Sequence, residues 1–91
     1  MPETAPPPPV PPEFAELGRF VCGVKHPQEP FCGTFILETP TGYLWHVREG
    51  HGWTFLRINA QRAIEAAASM RSLSPAWFVV GSRTPSLKRA G

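Results

Sequence analysis

Aspartate is absent from this chain, and its seven acidic residues are all glutamates. No two of those glutamates fall at a spacing that places them in one cleft, so general acid–base catalysis is left without a carboxylate pair. Cysteine is scarce too. Cys22 and Cys32 are the only two, at either end of the stretch CGVKHPQEPFC. With His26 between them they form C-x3-H-x5-C, and His46 or His51 would have to supply a fourth ligand. The paired C-x2-C knuckles of strong zinc sites are missing, so no metal centre is expected. A cysteine nucleophile activated by histidine would need a third group to orient the imidazole, and no aspartate exists to do it. No glycine-rich phosphate loop is present either. These gaps together point to a non-enzyme, with no catalytic residue and no cofactor assigned.

Long apolar runs are also lacking. None approaches the roughly 18 residues that cross a bilayer, so no membrane partner is expected. The opening residues lack the basic and apolar regions of a signal peptide. A cytoplasmic setting with reduced thiols is the expectation. There, Cys22 and Cys32 read as two small apolar residues in a hairpin centred near Pro27, facing each other across the strands. A cross-strand disulfide is the oxidised alternative.

What the chain has in quantity is proline at one end and aromatic residues in the middle. The opening MPETAPPPPVPP holds seven of the twelve prolines, a composition that favours extended polyproline II over a packed element. Residues 1–17 are therefore read as a proline-rich flexible arm, which either docks in a partner's aromatic groove, spaces the domain from something else or packs on its own domain. Residues 83–91 are read as a basic flexible tail, and 18–82 as one domain. A core of about 65 residues is only marginally sufficient by itself, so a partner or a second copy in a homodimer would help it. Charge is uneven along the chain. Up to Glu49 three bases stand against six glutamates, whereas from Gly50 onward six bases stand against Glu65 alone. Such asymmetry is one mark of an acidic or nucleic-acid partner.

Four runs have strand character: GRFVCGVK from Gly18, FCGTFILE from Phe31, YLWHVRE from Tyr43 and WTFLRI from Trp53. TPTG and EGHG supply the second and third turns. The period then changes. Asn59 is placed to cap a helix over AQRAIEAAASMRS, with Ala60, Ile64, Ala67 and Met70 on one small apolar face, Ala63 and Ala68 beside them, and Pro75 to stop it. AWFVVGS, apolar on both faces, reads as a final strand that is central or paired. The order is ββββαβ. It predicts an α+β fold, an antiparallel meander sheet of about five strands with one helix packed on it; a small β-barrel with one helix is the alternative.

The strand faces carry the functional reading. With EGHG as the loop, Arg48 faces Trp53, His46 faces Phe55 and Leu44 faces Arg57. The opposite face then pairs Val47 with Thr54, Trp45 with Leu56 and Tyr43 with Ile58, and should meet the helix. A one-residue change of register would move both aromatics to the core side. In the favoured register the outer face interleaves His46, Arg48, Trp53, Phe55 and Arg57, and strand two adds Phe31, Phe35 and Leu37. That is more apolar surface than a monomer leaves wet. A partner, a second copy, a ligand or the chain's own arm should cover it. Two functions follow. The first is a small accessory or inhibitor protein that binds a protein partner through Arg48, Trp53, Phe55, Arg57, His46 and Phe35. The second is a single-stranded nucleic-acid binder that stacks bases on the same rings.

Overall fold

The computed structural model describes residues 8–72 and 77–81. After a short 3-10 turn at Pro12–Phe14 come strands β1 (Arg19–Lys25), β2 (Thr34–Thr39), β3 (Gly42–Glu49) and β4 (Gly52–Ile58). Helix α1 (Ala60–Met70) and strand β5 (Phe78–Val80) complete the order. The strands form one antiparallel sheet in the order β4-β3-β2-β1-β5. This is the expected ββββαβ arrangement with one helix packed on an open sheet, and it does not close into a barrel.

Turn chemistry sets the β3–β4 register. Gly50 takes φ +63°, the glycine position of a two-residue type II′ hairpin, and Glu49 pairs with Gly52. Arg48 then faces Trp53, His46 faces Phe55 and Leu44 faces Arg57, while Trp45 faces Leu56 and Tyr43 faces Ile58. The favoured register therefore holds.

The first hairpin departs from expectation. Its centre lies beyond Pro27, because Val24 pairs with Thr34, Gly23 with Phe35 and Cys22 with Ile36. Pro27 and Pro30 have no N–H to give a ladder. The connection therefore runs long, with a turn closed by the Glu29 N–H on the His26 carbonyl at 3.0 Å and the Gly33 N–H on the Val24 carbonyl at 2.9 Å. Phe31 and Cys32 fall in this loop, not in β2. The two thiols consequently do not face each other. Cys22 belongs to the helix-side cluster and Cys32 to the cluster on the other face, and both are free. A bulge at Val21 also breaks the alternation expected for β1. Phe20 joins the outer cluster while Cys22 and Val24 turn to the helix.

One face packs Val21, Val24 and Ile36 under Ala63, Ala66, Ala67 and Met70. The helical apolar face is rotated slightly from expectation, with Ile64 half-buried at its margin and Ala68 exposed. Alanines let the helix lie close on the sheet, and Asn59 caps it as expected, its Oδ1 accepting from the Arg62 N–H at 2.8 Å. β5 pairs with β1 alone and forms an edge, so the central position considered for it is excluded; Phe78 and Val79 stay exposed there. Residues 1–7, Pro75 and the tail at 83–91 lie outside the described residues.

Candidate functional site

Three strands place Phe35, His46 and Phe55 side by side on the face away from the helix. Gly23 on β1 makes room for them. A Cβ there would come within 2.6 Å of the Phe35 Cβ, so only glycine lets Phe35 lie across that strand. The His46 ring stacks on Phe35 at 4.5 Å and 21°, and on Trp53 at 5.0 Å and 9°. Its Nδ1 lies 2.9 Å from the Gly33 carbonyl oxygen. A carbonyl only accepts, so Nδ1 carries the proton and the neutral ring keeps its lone pair on Nε2. Behind it, the Trp45 Nε1–H donates to Thr34 Oγ1 at 2.9 Å, and that hydroxyl donates to the His46 carbonyl at 2.7 Å. Burial among the rings lowers the His46 pKa from its ordinary value, against the opposing effect of the bond to Gly33.

The arm covers this row. The Cys32 N–H donates to the Pro9 carbonyl at 2.9 Å, which fixes Val10 in the outer cluster at 5% exposure. Pro11, at φ −57° and ψ 143°, continues in a polyproline II-like conformation. Phe14 then sits over the rings, 5.0 Å edge-on to Phe55, 5.5 Å from His46 and 6.0 Å from Phe35. Of the coverings considered from sequence, the chain's own arm supplies the one over this row.

The six residues singled out from sequence are thus divided. Phe35 is fully buried beneath Phe14 and cannot touch a partner while the arm is seated. Phe55 and His46 are half-buried under the same ring. Arg57 is exposed at the far end of β4, beside a separate cavity of about 320 Å³ lined by Glu16, Leu17 and Tyr43. Arg48 and Trp53 remain together at the surface, the guanidinium 6.0 Å from the indole centroid. Trp53 is 45% exposed.

Sequence reasoning missed Trp77. It lies just before β5, which pairs Phe78 with Lys25 and so carries Trp77 to the β1–β2 loop. A Cβ built on Gly33 would lie 3.4 Å from the Trp53 indole and 3.4 Å from the Trp77 indole. The two rings therefore flank Gly33 as walls. His26 supports Trp77 edge-on at 5.3 Å, and the slot they bound opens into a cavity of about 260 Å³ reaching Phe31 and Glu29. The apolar run AWFVV gave the strand, but nothing in it gave the neighbour.

Burial pushes the Cys32 thiol up to about 11, with Lys25 opposing and Cys22 adding slightly. It raises Cys22 as well, opposed by Arg71. Neither is a thiolate nucleophile at neutral pH. Among the described residues no three His, Cys, Asp or Glu side chains are grouped to hold a metal ion. No helix among them is long and apolar enough to cross a membrane. No family model matches the chain, and neither the curated proteins nor the solved structures contain a match to it.

Proposed function

We propose that this chain is a small non-catalytic accessory or inhibitor protein that binds a protein partner through the Trp53–Trp77–Arg48 end of its arm-bearing face. One observation carries the reading. Two indoles converge on Gly33 at the surface, 45% and 36% exposed, and the next residue along β5, Phe78, is exposed as well, whereas Phe35 and Phe55 are packed beneath the arm. Exposed tryptophan beside arginine is the pairing that most often dominates binding energy at protein interfaces, and a grouped apolar surface of this kind marks an interaction site. Phe55 and His46, half-buried, back the patch, and His46 lines the cavity beside it.

The test is affinity capture from the source cell with the wild-type chain and with an Arg48→Ala, Trp53→Ala double variant as baits. The expected result is a partner retained by the first bait and depleted at least tenfold on the second, with far-UV circular dichroism unchanged. Its retention should survive an increase in salt from about 50 to about 200 mM, over which a nucleic acid held by several phosphate contacts would be largely released. The rival reading, base stacking on Trp53 and Trp77 with Arg48 on phosphate, predicts micromolar binding of a labelled mixed-sequence single strand that collapses over that range. Equal capture by both baits overturns the assignment of the face. A shift to dimer in sedimentation that the double variant abolishes would make the partner a second copy.

A further inference from the structure

We infer that the slot between Trp53 and Trp77 is a docking site for a polyproline II segment of a partner protein. This rests on the protein-binding reading of the same face and names the chemistry of what binds there. The loop that forms the floor of the slot already holds a proline-rich segment, bent at Pro9 and Val10 and polyproline II-like at Pro11. Cys32 donates its N–H to the Pro9 carbonyl of the chain's own PPPPVPP run at 2.9 Å, and the next residue, Gly33, lies between the two indoles. The slot is thus continuous with a surface that already accepts a proline carbonyl.

Its walls suit the same ligand. A polyproline II helix makes no internal hydrogen bonds, so it presents proline rings to flat aromatic surfaces and free carbonyls to donors, and it loses little entropy on docking. Among the described residues the Trp45 indole N–H is taken by Thr34, whereas neither Trp53 nor Trp77 donates a bond. Two indole donors without a partner among the described residues therefore border the space beside Gly33, which the rims of both rings line. Aromatic walls would also accept an alkylated ammonium, but that ligand needs an acidic surplus. Glu29 is the single carboxylate on the rim, and the same loop holds a cation, the Lys25 ammonium, which donates to the backbone carbonyls of His26 and Glu29. The neutral ligand fits better.

The experiment titrates acetyl-decaproline amide into the full-length 15N-labelled chain and follows the three indole N–H cross-peaks. Saturable shifts are expected for Trp53 and Trp77, with the Trp45 peak still. Trp77→Ala should weaken binding at least tenfold. Gly33→Leu, which keeps both indoles but fills the space between them, should abolish the shifts while the Trp45 peak reports an intact fold. Unmoved Trp53 and Trp77 peaks at millimolar peptide overturn the inference, as does a linear drift of all three. Shifts produced by a single-stranded oligonucleotide and not by the peptide also overturn it, in favour of a nucleic-acid occupant. If a protein is captured through Arg48 and Trp53 while the peptide is inert, the proposed function stands and the ligand class fails. If the peptide binds but capture ignores those residues, the proposed function is the part that falls.

Discussion

On the helix side of the sheet, Val21, Val24 and Ile36 lie under a three-turn helix that satisfies its own backbone and brings Ala63, Ala66, Ala67 and Met70 down onto them. On the other side, Phe35 and Leu37 are buried just as completely, but what lies over them is the arm. Among its described residues, from position 8 on, are one 3-10 turn, two anchoring side chains, Val10 and Phe14, and one backbone bond to the rest of the domain, from Cys32 in the β1–β2 loop to Pro9. The two floors are equally apolar, whereas the covers differ in what holds them. A helix propagates its own hydrogen bonds once started. The described part of the arm closes only three turn bonds within itself, at Phe14, Ala15 and Leu17, so its docking rests on a few side chains and its local opening should be far easier than global unfolding. The exposed Trp53–Trp77 slot lies at the margin of the weaker cover.

The sharpest way to break this comparison is to remove one anchor from each side. Ile36→Ala, on the helix side, leaves a cavity under the helix and should cost about 2–5 kcal/mol. That is a large part of the 5–15 kcal/mol typical of a whole domain. Phe14→Ala, which removes a half-buried ring from the arm, should cost only about 1 kcal/mol, since full burial of a phenylalanine contributes roughly 1.5–3 kcal/mol. Urea unfolding of both variants checks it. Equal losses would mean that the arm is as integral as the helix.

The two thiols offer an internal probe of the same contrast, because Cys22 lies beneath the helix and Cys32 beneath the arm. Both are buried and free, with thiol pKa values raised by burial. Native-state labelling by a disulfide reagent should therefore wait for opening. Cys32 is expected to label at least tenfold faster than Cys22, with a rate nearly independent of low denaturant, while Cys22 tracks global unfolding. Phe14→Ala should accelerate Cys32 and leave Cys22 within a factor of about two. Equal rates for the two thiols would show that arm and helix open together. Mass spectrometry of the labelled peptides reads both sites in one sample.

Much of this architecture is visible in the residues themselves. Alternation in YLWHVRE and WTFLRI, with glycine on either side of His51, was enough to pair Arg48 with Trp53 and His46 with Phe55, because a tight turn leaves little freedom of register. Asn59 announced its helix for a similarly local reason. What was hidden depends on contacts distant in sequence. The first hairpin runs long around Pro27 and Pro30, which have no N–H to give, but no local rule foresees that the Cys32 N–H within it is claimed by Pro9, 23 positions away. Trp77 joined the site because β5 crosses to the β1 edge, a choice of edge that an apolar run does not encode. Phe35 passed for a contact residue because the arm that buries it has the composition of a linker.

The helix side has its own local test, smaller in size. Asn59→Ala removes the acceptor for the Arg62 N–H and should cost about 1 kcal/mol, within the usual 0.5–2 for a cap. Thermal unfolding should shift down accordingly, and Cys22 labelling should rise in proportion if helix loss is global unfolding. An unchanged Tm would mean that the Arg62–Glu65 pair at 3.3 Å and packing hold the first turn without the cap. The pair itself is exposed, so little is expected of it.

The smallest effect belongs to His46, the ring shared by the arm, the sheet and the tryptophan patch. Its pKa in the folded chain is held below the ordinary 6.5, first by burial and against the bond to Gly33. The unfolded chain therefore binds a proton at His46 that the folded chain resists. Stability is then full above about pH 6.5, falls as pH drops through the folded pKa, and levels off once both states are protonated. His46→Phe keeps the stack on Phe35 and Trp53 but cannot take the proton. The difference in urea midpoint between variant and wild type should be constant above pH 7 and should move in the variant's favour as pH falls below about 6.5. Because His46 also touches Phe14 at 5.5 Å, Cys32 labelling, corrected for thiolate content, should rise in the same window in the wild type alone. A flat difference, or one of opposite sign, would mean that imidazolium is accepted between the rings, as cation–π attraction to Trp53 would allow. The stack would then be indifferent to charge, and the arm's seating independent of pH.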